Sequence, residues 1–159
     1  MVKQLDLVFI NETNRETIPE QQHFEEWVRA ALSNRRNSAS LAIRIVDETT
    51  MSQLNQQFRH KSGPTNVLAF PNQAPAGICD ELLGDIIICE TVVEQEAKTQ
   101  QKTALHHWAH LTIHGTLHLL GFDHLTDEEA AAMEQLEIEL LGNFNIPNPY
   151  CLKGESNSQ

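Results

Sequence analysis

Apolar positions along the chain switch between a period of two and a period of three to four, and this rhythm predicts a series of short strands and helices. "LDLVFI" (5–10) reads as a first strand, followed by the polar loop "NETNRETIP". Pro19 suits a helix start, where its missing N–H is no loss. Phe24, Trp27, Val28, Ala31 and Leu32 then form the stripe of an amphipathic helix ending near Asn34. "SLAIRIVD" (40–47) alternates and is β-branched enough for a second strand. "TTMSQLNQQFRHK" predicts a short helix with Met51, Leu54 and Phe58 facing inward. After a turn at Gly63-Pro64 comes a short third strand before Pro71, and "NQAPAGICDELL" reads as a surface loop rich in turn formers. "GDIIICE" (84–90) has the composition of a buried central strand.

The C-terminal half is read as helical. "TVVEQEAKTQQ" makes a modest helix that breaks near Lys102 and Thr103. "TALHHWAHLTIHGTLHLLG" is apolar almost all round, through Leu105, Trp108, Leu111, Ile113, Leu117 and Leu120, so it belongs in the interior. Gly121 suits the position after a helix end because it accepts positive φ. Thr126 and Glu129 have the spacing of a capping box, opening a last helix over "DEEAAAMEQLEIELLGNF". From Asn145 the chain reads as a wrapped or frayed tail. The expected fold is α+β: a single domain over residues 1–159 with a small mixed four-stranded sheet packed with helices.

Composition narrows the setting. A chain of 159 residues with 40% hydrophobic residues supports one core. It has no apolar stretch long enough to cross a membrane and no secretory signal pattern at the N-terminus, so a cytoplasmic protein is expected. Cys79, Cys89 and Cys151 show no C-x-x-C spacing and are expected to be free thiols. The formal charge of −11 opposes nucleic-acid binding, but its distribution is uneven. Residues 1–61 hold eight basic and eight acidic side chains, whereas 103–159 hold one and eight, and every arginine precedes residue 60. A local positive surface built from Arg15, Arg29, Arg35, Arg36, Arg44, Arg59 and Lys61 is possible if the fold gathers them.

The chemistry concentrates in "HGTLHLLGFDH" (114–124). Residues four apart lie above one another on a helix, so His114 and His118 face one point. His110 stands about 12 Å along the axis from His118, too far to share a tight shell with both, at ~1.5 Å rise per residue. Ending the helix at Gly121 instead returns His124 toward the pair. Three neutral imidazoles with an open fourth position describe a catalytic rather than a structural zinc site. Asp123 is either a turn residue bonded to its own backbone or a support for a histidine, and His110 and Asp85 are further candidates for supporting roles. The spacing of offsets 0, 4 and 10 with glycine at 7 is that of a long metalloprotease signature, but Gly115 replaces the glutamate that serves as base. Three neutral ligands leave the metal's charge uncompensated, which suits an anionic substrate. Arg59, at the end of the second helix, is the best candidate cation for a phosphodiester transition state.

"LTIHGTLHLLGFDH", "LNQQFRHKSGPTNVLAFP" and "LLGDIIIC" together resemble the YbeY family of bacterial ribosomal-RNA maturation factors, over roughly residues 5–142. The resemblance implies a metal-dependent endoribonuclease acting on single-stranded RNA, with His114, His118 and His124 on one Zn2+ and Arg59 at the scissile phosphate. It further implies processing near the 3′ end of precursor 16S rRNA, ribosome quality control, and contact with the small ribosomal subunit, its proteins or a ribosome-associated GTPase. Phe122 stands where the family often has tyrosine. Water and the ribose 2′-hydroxyl are both open as nucleophile. The rival readings are a non-catalytic ribosome assembly factor stabilised by metal and a zinc-dependent peptidase.

Overall fold

The computed structural model describes residues 2–75, 77 and 81–150. Cys79, Cys151, part of the expected 72–83 loop and the end of the tail lie outside the described residues. The elements are β1 (Gln4–Asn11), α1 (Gln21–Leu32), β2 (Ser38–Val46), α2 (Glu48–Arg59), β3 (Val67–Pro71), β4 (Leu82–Cys89), α3 (Glu90–Thr99), α4 (Ala104–Leu119) and α5 (Asp127–Gly142). The four strands form one sheet in the order β1-β2-β4-β3, in which β1, β2 and β4 run parallel and β3 pairs antiparallel to β4. The fold is therefore α+β with a mixed four-stranded sheet, as the alternating and helical periods predict.

Strand alternation divides the sheet into two apolar faces. Leu5, Leu7 and Phe9 of β1, Leu41, Ile43 and Ile45 of β2 and Ile86 and Ile88 of β4 join the larger core with α1, α4 and α5. The opposite face carries a smaller core of Val46, Met51, Leu68, Ile87 and Cys89 beneath α2. β4 contributes to both, which explains its unbroken run of apolar residues. Cys89 is a buried free thiol, and burial pushes its pKa up.

α4 is the central helix, packed on β3 and β4 and against α1, α3 and α5. Its apolar surround reflects that position, and Trp108, Ile113 and Leu117 are fully buried. Gly115 sets how closely it approaches the sheet. A Cβ built there would lie 3.0 Å from Cγ2 of Ile86. Glycine in a helix interior costs about 1 kcal/mol relative to alanine, a cost that overpacking of ~1–3 kcal/mol outweighs when the neighbour cannot retreat.

Several boundaries differ from the sequence expectation for physical reasons. Pro19 precedes the N-cap Glu20 and does not itself open α1. β4 starts at Leu82, and α3 begins at Glu90 with no intervening loop. Phe58 does not face inward: it is 51% exposed. Within α2 the sheet-facing positions are Met51 and Asn55, and Asn55 is buried because its side-chain amide donates to the Gly63 carbonyl at 2.9 Å, anchoring the following turn. Phe58, at the far end of the same stripe, reaches only the rim, edge-on to Phe70 with ring centroids 5.1 Å apart.

Glu96 ties three segments together, bonded to His107 of α4 at 2.8 Å and accepting from the Asn66 amide at 3.0 Å. The hydrogen bond from His107 holds its carboxyl below the ordinary 4.5 against the opposing effect of burial. A depressed folded pKa gives stability that is complete above 4.5 and lost as pH falls through the folded value. Glu96→Gln is therefore expected to melt earlier than the parent at neutral pH, with the gap closing as pH drops below 4.5, as followed by circular dichroism. Gly115→Glu, which drives a carboxylate into Ile86, is expected to cost at least ~3 kcal/mol in denaturant unfolding.

Candidate metal centre

The end of α4 is shaped by a hydrogen-bonded turn. The Gly121 amide donates to the His118 carbonyl at 3.0 Å and the Phe122 amide donates to the Leu117 carbonyl at 3.0 Å, the two bonds of a Schellman motif. Gly121 has φ +105°, a conformation that a side chain would strain. This turn folds the chain back so that His124 meets the two helix histidines. One ring nitrogen from each of His114, His118 and His124 lies within 4.8 Å of the others. Ring centroids stand 4.7 Å apart for His114 and His118, 5.0 Å for His118 and His124, and 5.9 Å for His114 and His124. His114 and His118 are half-buried while His124 is exposed, so the cluster opens to solvent on the side of the turn.

The protonation of the cluster follows from a buried carboxylate. Glu137 of α5, fully buried, accepts from His114 Nδ1 at 2.7 Å and from His110 Nε2 at 2.8 Å, and the Tyr150 hydroxyl also donates to it. Burial pushes its pKa up, but the bonds from His110 and His114 overcome this and bring it down to about 2. An ionised carboxylate only accepts, so both imidazole nitrogens facing it carry protons. His114 is thereby fixed with its Nε2 lone pair free. Burial, with the proximity of His114 and His124, lowers His118 to about 4, so that imidazole is neutral near pH 7. Burial likewise lowers His110, whose Nε2–H is committed to Glu137.

This donor set suits a divalent cation. Tetrahedral ligands at ~2.0–2.1 Å from zinc lie about 3.4 Å from one another, so a spread of at most 4.8 Å is closed by small side-chain rotations. A second constellation, His110, His114 and Glu137, is as tight, but its atoms are already bonded to one another. It is the arrangement by which a carboxylate orients a metal-facing histidine.

The remaining candidates separate. Asp123 accepts from the His124 backbone amide at 2.8 Å, the turn role rather than a bond to an imidazole. Asp85 is not brought to the cluster. Its neighbour Ile86 packs on Gly115, so Asp85 projects from the opposite face of the sheet, toward Arg44. Arg59 donates to the Ala69 carbonyl at 3.4 Å on β3, an edge strand. Ala69 pairs with Ile86, whose side chain faces Gly115 of α4, whereas Arg59 comes from α2 on the opposite face and meets the sheet at its β3 edge. Of the basic residues of the N-terminal half, Arg15 pairs with Glu90, Arg44 pairs with Glu12, and Arg35 lies over the Phe122 ring at 5.7 Å.

The profile of one protein family, Endoribonuclease YbeY, matches residues 8–145. The chain belongs to the YbeY endoribonuclease family. The fold is also that of a Thermotoga maritima protein known from a solution structure, with a TM-score of 0.60, 24% identity, and coverage of 94% of this chain and 99% of the other. Membership in the YbeY family makes the chain an RNA-cleaving hydrolase. Among the described residues no helix is long and apolar enough to cross a membrane.

The span matched to the YbeY family includes the three histidines, Arg59 and Glu137 but ends before Tyr150. Sequence reasoning did not find Glu137 or Tyr150. Glu137 left one signal: it lies on the stripe of Met133, Leu140 and Leu141, where a lone carboxylate in a core register demands a buried partner. Tyr150 left none, because a tail residue with no periodic context gives no clue to its contact.

Glu137→Gln would present an amide N–H to imidazoles that now donate, favouring the His114 tautomer with its Nε2 lone pair lost. Metal affinity is expected to fall about 10- to 100-fold, measured by competition with a chromophoric chelator. Tyr150→Phe leaves both imidazole bonds in place and is expected to change affinity little.

Proposed function

We propose that this protein is a zinc-dependent, single-strand-specific endoribonuclease that matures the 3′ end of 16S rRNA and acts in ribosome quality control in the cytoplasm. The observation that carries the reading is three imidazoles converging beside solvent, two from α4 and one from the turn that follows it, with Arg59 exposed and, among the described residues, in no ion pair. A bound zinc ion would supply Lewis acidity toward a phosphoryl oxygen and toward water. His114, His118 and His124 would hold it, and Glu137 keeps His114 in the binding tautomer. Arg59 offers a guanidinium for charge that grows on the phosphate, the interaction that matters most where water is partly excluded.

The same geometry weighs against peptide hydrolysis. Position 115 faces the sheet, against the Ile86 side chain, and is not a vacant catalytic position. Glu137, with a pKa of about 2 and engaged by two imidazoles, is a poor proton acceptor. The acidic overall charge supports RNA delivery with help from a small-subunit partner, such as a ribosomal protein or a ribosome-associated GTPase.

The deciding experiment couples metal analysis to cleavage of a 16S 3′-precursor by the parent, Arg59→Ala and His114→Ala. Arg59→Ala is expected to retain metal and lose roughly 100-fold or more in rate. His114→Ala is expected to lose both metal and cleavage. Cleavage unchanged in both variants would overturn the assignment. Metal-dependent thermal stability with no cleavage by the parent would establish the assembly-factor reading instead. A 2′,3′-cyclic phosphate product would identify the 2′-hydroxyl as nucleophile, and a 3′-hydroxyl would identify water.

A further inference from the structure

We propose that Phe58 is a stacking platform for one unpaired base of the RNA chain, set beside Arg59 so that base and phosphate are gripped together. The proposal rests on the endoribonuclease reading and adds to it a subsite for the substrate. Phe58 occupies a core register of α2 yet is half exposed, and Phe70 meets it at 5.1 Å with the rings 64° apart. That contact fixes the ring without covering it. Among the described residues the other large aromatic side chain exposed to this degree is Tyr150, whose hydroxyl is bound to Glu137.

The charges around the ring identify what it receives. Arg59, His60 and Lys61 follow it directly and are all exposed, and among the described residues none of the three is in an ion pair. Arg15 and Arg44, by contrast, are engaged by Glu90 and Glu12. In a chain of net charge −11, an unpaired basic run beside an open aromatic ring is a local site for an anion that carries a flat apolar group. A single-stranded nucleotide has both parts, since every base presents a π-face and every phosphate a charge. The spacing also fits. Phe58 packs on Phe70 while Arg59 bonds the carbonyl of Ala69, so ring and guanidinium sit on adjacent residues of β3. A strand crossing that edge would place its base on Phe58 and its next phosphate at Arg59.

The test uses the metal-loaded full chain and a single-stranded RNA substrate, with Phe58→Leu, Phe58→Trp and a series of oligonucleotides each lacking one base. Phe58→Leu retains an apolar contact with Phe70 but cannot stack. It is expected to raise KM about tenfold with kcat little changed, while Phe58→Trp restores the parent KM. Removing the base at one position should weaken the parent by a similar factor and leave Phe58→Leu indifferent. Thermal melting of the variants checks that the fold is kept. An unchanged KM in Phe58→Leu overturns the proposal, as does a fall in kcat equal to the change in KM, which would mean that Arg59 had merely been displaced. Weaker association of Phe58→Leu with the small ribosomal subunit at unaltered affinity for RNA would reassign the ring to a protein contact and also overturn it. If the parent binds RNA with the base dependence described but does not cleave it, the nuclease reading fails and the stacking site stands; cleavage indifferent to residue 58 sinks the stacking site alone.

Discussion

One buried anion organises the functional end of this molecule. Glu137 comes from α5, while the two imidazoles that donate to it come from successive turns of α4, so the interaction joins the helices and decides where protons reside. Burying a carboxylate without partners would be prohibitive, and partners that donate hydrogen bonds reverse the balance. The consequence is a histidine with a defined tautomer before any ligand arrives. That is preorganisation by hydrogen bonding, and it depends on Trp108, Ile113 and Leu117 holding α4 in the interior, where the helix cannot rotate.

The sequence and the structure agree where local rules dominate. Strands with period two, the capping box at Thr126 and Glu129, and the glycine turn at Gly121 were all legible because each is determined by residues within a few positions. The histidine trio was legible for the same reason: a helical repeat and one turn bring its members together. Asp85 illustrates the limit. Its place at the start of a hydrophobic strand says nothing about which face it occupies, and the packing of its neighbour Ile86 against α4 settles that. Phe58 illustrates another, because the stripe of an amphipathic helix gives a direction but not where the sheet beneath it ends. Glu137 and Tyr150 depend on contacts between distant parts of the chain, which periodicity does not encode.

Gly115 changes meaning between the two levels. As a letter in a motif it marks an absent catalytic base. In the fold it is the point at which a helix backbone settles onto Ile86, and a side chain there must displace Ile86 or the helix that carries His114 and His118. The distinction between hydrolase types thus turns on which surface of the helix a position presents, a property that spacing alone does not define.

The guanidinium of Arg59 has a second effect, through the strand it touches. β3 is the outermost strand on its side of the sheet, and the Ala69 carbonyl that Arg59 caps is an acceptor on that strand. Exposed strand edges invite pairing with other chains, and a charged side chain laid across one is a known deterrent. The arginine proposed to meet the substrate is thus also placed to shield that edge from pairing with another strand.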